Sequence, residues 1–250
     1  MKNFFSVFSA VLLCAAFAAA ADAPAAKKNG KAKKKPVYPA MIGGVVQSDT
    51  WDMRRLKGEE EFTGHVFYRN PQYRVKSDWG LYQRLVGIVT LHGNIEGIRY
   101  WKDGSISRSY ADNAQYFMQD NSAKLYPKQG EKVRLYQDDP AHGAWHTLSD
   151  TAFFAGRSEL VTLTGDVSIV GSSSTARCDT AVYDYKSTLF DMQGRPLITG
   201  RSQDYEFAVN GDSAAASGFF TDFNVNGGVR GWLRTTSGSS LENGTESAEH

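Results

Sequence analysis

The chain has 250 residues, enough for one or two domains with a sizeable core. Apolar residues make up 41%, charged residues 22% and aromatic residues 12%, with 24 glycines, which excludes collagen-like, wholly disordered and polytopic membrane classes. The formal net charge of +1 conceals an asymmetry: without Lys2 and the six lysines between Lys27 and Lys35, 21 basic residues face 26 acidic ones once Asp22 is set aside, so the folded part is mildly acidic and is not a nucleic-acid surface.

Residues 1–21 read as an export signal: Lys2 is a positive start, Phe4 to Phe17 an apolar stretch, and Ala18 to Ala21 offer the small-residue spacing of a cleavage site. The alternative is an uncleaved inner-membrane anchor, since Phe4 to Ala21 nearly reaches a bilayer span. Leu13 directly before Cys14 is a poor match to a lipoprotein signal. Residues 22–58 read as a lysine-rich linker and lead-in, too poor in apolar side chains at its start to offset ordering entropy. The protein is therefore expected in an exported, periplasmic compartment.

From Glu59 to Leu233 no window sustains a helical period, whereas short alternating stretches recur, so residues 59–233 are expected to form one all-β domain. The first is Phe62 to Tyr68, followed by Val89 to Ile95, with Tyr100 to Gly104 after it as a hairpin turn. The clearest is Leu160 to Ile169, where Val161, Leu163, Val167 and Ile169 share one face and Thr162, Thr164, Asp166 and Ser168 the other. A looser copy runs from Phe190 to Ile198. Each contains an internal glycine, which costs stability unless the backbone bends or bulges there.

A second element, Asp-x-Ala-x-aromatic, precedes these strands at Asp112, Asp150 and Asp179, with echoes at Asp78 and Asp212, spaced by 29 to 38 residues. A period near 33 marks a repeat in which no unit buries its face alone, and two strands per repeat imply stacked antiparallel hairpins. The aspartates at strand starts are read as turn residues that accept local hydrogen bonds. After Tyr116 the expected Leu-x-Gly-x-Val strand is missing, so one repeat is altered. Residues 234–250 read as a polar, disordered tail.

An Asp-x-Ala-x-Tyr strand, a turn and a Leu-x-Leu-x-Gly-x-Val strand, best seen from Trp145 to Ala216, resemble the OstA-like domain of periplasmic lipopolysaccharide-transport proteins of the LptA/LptC type. The resemblance implies an open, V-shaped β-jelly roll whose apolar groove shields the acyl chains of lipopolysaccharide or a related lipid during export to the outer membrane. A repeat of hairpins that is not closed into a barrel ends in exposed strands, here near Phe62 to Tyr68 and near Phe219 to Trp232, through which the protein is expected to join other β-jelly-roll transport components or a second copy. The expected lipid-facing residues are Val89, Leu91, Ile95, Tyr116, Phe154, Val161, Leu163, Val167, Ile169, Tyr183 and Phe190. From the residues alone the inward faces either part to admit a lipid or close into a packed core.

Chemistry-bearing motifs are sparse, and no cofactor, metal or catalytic set is expected. No G-x-S-x-G, P-loop, G-x-G-x-x-G or H-E-x-x-H occurs. His142 and His146 lie four apart, but Pro140 and Gly143 put them on a loop rather than a helix. Cys178 has no histidine partner nearby in sequence and reads as a small buried residue. Two other readings stand beside the carrier: a structural β-repeat scaffold with a closed core, and a carbohydrate-active enzyme using Asp112, Asp150 and Asp179.

Overall fold

The computed structural model describes residues 44–141, 143–218 and 220–236, and every regular element in them is a β-strand paired antiparallel to its neighbours. The expected export signal, the lysine-rich stretch, His142, Phe219 and the tail from residue 237 lie outside the described residues. In chain order the strands are β1 (Val45–Gln47), β2 (Thr50–Arg54), β3 (Glu59–Arg69), β4 (Tyr73–Gln83), β5 (Ile88–Tyr100), β6 (Ile106–Phe117), β7 (Ser122–Tyr126), β8 (Val133–Asp139) and β9 (Gly143–Ser149). They continue as β10 (Thr151–Ala155), β11 (Leu160–Val170), β12 (Ser174–Asp184), β13 (Leu189–Gln193), β14 (Leu197–Arg201), β15 (Tyr205–Asn210), β16 (Ser213–Ser217), β17 (Phe223–Asn226) and β18 (Arg230–Thr235). The fold class is all-β and antiparallel, as the alternation required.

Glycine inside a strand has a structural reason here. The long strands β3, β5 and β11 each carry a two-residue bulge at their middle, where Gly64-His65 faces Asp78, Gly93-Asn94 faces Asp112 and Gly165-Asp166 faces Asp179. Two residues opposite one bend the strand and increase its twist. The strand leaves one layer at that point and enters a second, so β3 pairs with β2 before its bulge and with β1 after it. Likewise β11 pairs with β10 before its bulge and with β9 after it.

The first layer holds β2, β7, β10, β13, β16 and β17 with one half of each long strand, and the second holds β1, β8, β9, β14, β15 and β18 with the other halves. The layers face each other. Trp145 of β9 in the second layer packs on Tyr183 and Phe190 of the first, with ring centroids 4.8 and 5.1 Å away. They are joined covalently along one side, the row of bulged corners. On the opposite side each hairpin turns back within its own layer, leaving two facing rows of tips. A single contiguous cluster of buried side chains fills the space between.

Two expectations about extent change. The sheet begins at Val45, inside the stretch read as lead-in, and β18 runs to Thr235. The strand from Phe62 to Tyr68 is not a sheet edge, because β1 and β2 cover it. Neither covering strand shows a regular alternation of buried and exposed positions, so each takes its place from pairing with β3.

Candidate functional site

The corners show what the repeated aspartates do. Each Asp lies against the glycine fifteen residues later: a Cβ built on Gly64, Gly93, Gly165, Gly194 or Gly227 would meet Oδ2 of Asp49, Asp78, Asp150, Asp179 or Asp212 at 2.1–2.4 Å. All five glycines have φ between 72° and 83°, and the residue after each is also left-handed. At three corners the aspartate N–H donates to the carbonyl of the same glycine, at 2.9 Å for Asp49 and 3.0 Å for Asp150 and Asp212. At Asp112 the equivalent position is Pro127, and the chain makes the excursion 127–132 between β7 and β8 instead of a two-residue bulge. Lys132 at the end of that excursion bonds to Asp150 at 2.7 Å and Asp166 at 3.1 Å. Asp150 and Asp179 thus pack into their own corners against Gly165 and Gly194.

The corner histidine provides a pH-dependent test. His65 Nδ1 sits 2.8 Å from Asp49 Oδ2, and this hydrogen bond, then the carboxylate charge, raises the His65 pKa above the ordinary 6.5. The folded state favours the protonated ring, so its stabilising contribution is full below the unfolded pKa and is lost as pH rises through the higher folded value. An NMR titration is expected to place His65 above the ordinary value, and Asp49→Asn to lower it. Equal pKa values in the two proteins would mean that the pair does not form in solution.

All eleven residues expected to face lipid point between the layers and belong to the one buried cluster, none more than 5% exposed. Val89, Leu91, Tyr116, Phe154, Val161, Leu163, Tyr183 and Phe190 line the first layer, and Ile95, Val167 and Ile169 lie in the second, just past the corners. Cross-strand pairing arranges the first-layer set in two unbroken rungs. The rung nearer the corners runs Phe62, Gly80, Leu91, Ala114, Leu125, Ala152, Leu163, Ala181, Met192, Ala214 and Val225, alternating large with small. The rung nearer the tips runs Tyr82, Val89, Tyr116, Ala123, Phe154, Val161, Tyr183, Phe190 and Ala216. At the usual strand spacing the first rung forms an apolar track about 48 Å long. The side chains of the facing layer now cover it.

The facing layer is different in character. Its buried inward positions include Arg99, Ser105, Ser107, Ser109, Gln137, Thr147 and Ser149. A sequence reading misses Arg99, yet the parity of β5 points to it, since Ile95 and Arg99 fall on one face. Along the row of tips the two layers touch through Trp101 and Tyr185, whose centroids are 4.8 Å apart. Trp101 Nε1 donates to Ser107 Oγ at 2.7 Å, and the Tyr185 hydroxyl also bonds to Ser107. Tyr100 to Gly104 form the expected hairpin turn, closed by Trp101 N–H to the Ser105 carbonyl at 3.0 Å.

The remaining candidates have structural places. His146 faces outward on β9 and stacks on Tyr136 at 5.5 Å. Cys178 is buried, and burial, then the charge of Asp179, pushes its thiol up to about 11, which makes it a poor nucleophile. At the far end β17 and β18 form the sheet edges, and all six residues of β18 are exposed, including Trp232 at 54% and Leu233 at 70%.

No family model matches the chain, and no curated protein matches it. Among solved structures the chain is similar to LptH of Pseudomonas aeruginosa, described as the LptA-homologous periplasmic component of the lipopolysaccharide transport device, with 14% identity, a TM-score of 0.42, and coverage of 49% of this chain and 82% of that one.

Proposed function

We propose that the protein is a non-enzymatic carrier that shields the acyl chains of lipopolysaccharide or a related lipid between its two layers in the periplasm. The observation that carries this reading is the unbroken apolar track of the first layer, set in a roll whose layers, among the described residues, are joined through the backbone along the corners. Parting the rows of tips breaks side-chain contacts but no strand ladder, because every hairpin stays within its layer. Each buried acyl methylene then contributes about 0.8 kcal/mol, which offsets the contacts given up. The repeat resemblance and the predicted export signal agree with this reading. The exposed β18 and the short β1 and β2 are the edges through which it joins like-folded components or a second copy.

A closed structural scaffold is the second reading, favoured by the complete burial of the eleven inward residues. Mass spectrometry of the protein purified from its native host without detergent separates the two. A stoichiometric acylated lipid is expected. Lipid-free protein that also fails to take up added lipopolysaccharide would leave the scaffold.

A further inference from the structure

Arg99 is only 3% exposed, makes no ion pair among the described residues, and has an Nη1 with no hydrogen-bond partner. Its guanidinium carbon lies over the Trp101 ring, 3.3 Å from the centroid, and over the Tyr73 ring at 5.7 Å. Register places it in a cross-strand rung of the second layer, Tyr73, Arg99, Ser107, Gln137 and Trp145, beside the tips. It also lines a cleft of about 300 Å³ shared with Gln72, Trp101, Lys102, Asp103 and Glu159. Neither acid there is hydrogen-bonded to it: Asp103 accepts from the N–H and Oγ of Ser105, and Glu159, whose charge favours the protonated guanidinium from across the cleft, lies 3.9 Å from Lys186. A buried cation with ring contacts but no carboxylate in hydrogen-bond reach is costly, and its unpartnered Nη1 is a donor waiting for an acceptor.

We infer that Arg99 is the anion-recognition point of this protein, taking the phosphate or carboxylate head of an amphiphile whose chain lies on the apolar track of the facing layer. This rests on the carrier reading and adds the ligand's charge to it. The planar fork of a guanidinium suits either oxyanion. The Trp101 and Tyr185 contact beside it is where the layers must separate to admit the chain.

The test uses the full chain and three twelve-carbon probes below their critical micelle concentrations: dodecyl phosphate, laurate and uncharged dodecanol, titrated by tryptophan fluorescence and calorimetry. At least one anion is expected to bind tenfold or more tighter than dodecanol. Preference for dodecyl phosphate marks a phosphate site, and preference for laurate a carboxylate site. Arg99→Met, checked for folding by thermal melting, is expected to remove the anion preference while leaving dodecanol binding unchanged, and Arg99→Lys to keep part of it. If dodecanol binds wild-type protein as tightly as both anions, the inference fails and the carrier survives. If Arg99→Met weakens all three probes equally, Arg99 only packs the mouth and the inference also fails. If none of the three binds, the carrier reading falls, and this inference with it.

Discussion

Phe154→Ala is expected to lower stability by about 3–5 kcal/mol, the usual range for removing a fully buried ring, and to shift the urea midpoint accordingly. Phe154 is 2% exposed and sits in the rung nearer the tips between Ala123 and Val161, neither of which is long enough to fill the space of its ring. Phe153→Ala, one residue away on the opposite face, is expected to cost about 1 kcal/mol or less, because that ring is 36% exposed and loses mainly its contact with Lys124. Equal losses at the two positions would mean that the inward and outward faces are wrongly assigned. The same variant bears on function. A carrier whose cavity opens to the mouth takes an acyl chain into the vacated space, so saturating laurate is expected to raise the melting temperature of Phe154→Ala more than that of the wild type. Equal shifts would place the cavity out of reach of ligand.

Gly165→Ala is expected to cost more than the strain of its left-handed backbone alone. With φ at 83° the added Cβ meets a cost of about 1–3 kcal/mol, and it would also stand 2.1 Å from Asp150 Oδ2. Asp150 cannot swing away freely while Lys132 holds it. Gly130→Ala is the matched control: its φ is 82°, but nothing lies within 4 Å of the new Cβ, so only the backbone cost applies. The difference between the two variants, read from denaturant unfolding, measures what the aspartate adds to the corner. It should shrink when Gly165→Ala is made in an Asp150→Ala background. If Gly165→Ala and Gly130→Ala cost the same, the aspartate yields without penalty and the Asp–Gly pairing is not what shapes the corner.

Asp150 and Gly165 were each visible as repeated features, yet their pairing was not, because residues fifteen apart meet only after a hairpin has formed. Asp49 was missed for the same reason. It heads the first corner, and its signal was the glycine at the same offset, Gly64. The altered repeat after Tyr116 was legible as a gap, and its cause is Pro127 at the corner position, since proline is confined to φ near −65° and a left-handed corner is closed to it.

The residues alone disclose the β class, the inward and outward faces of the alternating strands and the places where the long strands bend, because period-two alternation and glycine's access to positive φ act within a few residues. All eleven inward assignments followed from that local rule. Tertiary structure decided which strands meet, and with it everything long-range: β1 and β2 covering β3, the large-and-small register of the apolar track, and the exposed edge at β18. It also decided the burial of Arg99, whose partners Tyr73 and Trp101 reach it across a ladder and a turn, while Tyr185 closes over Trp101 from the other layer. Alternation specifies a face for each residue, but only the docking of two layers specifies what that face meets.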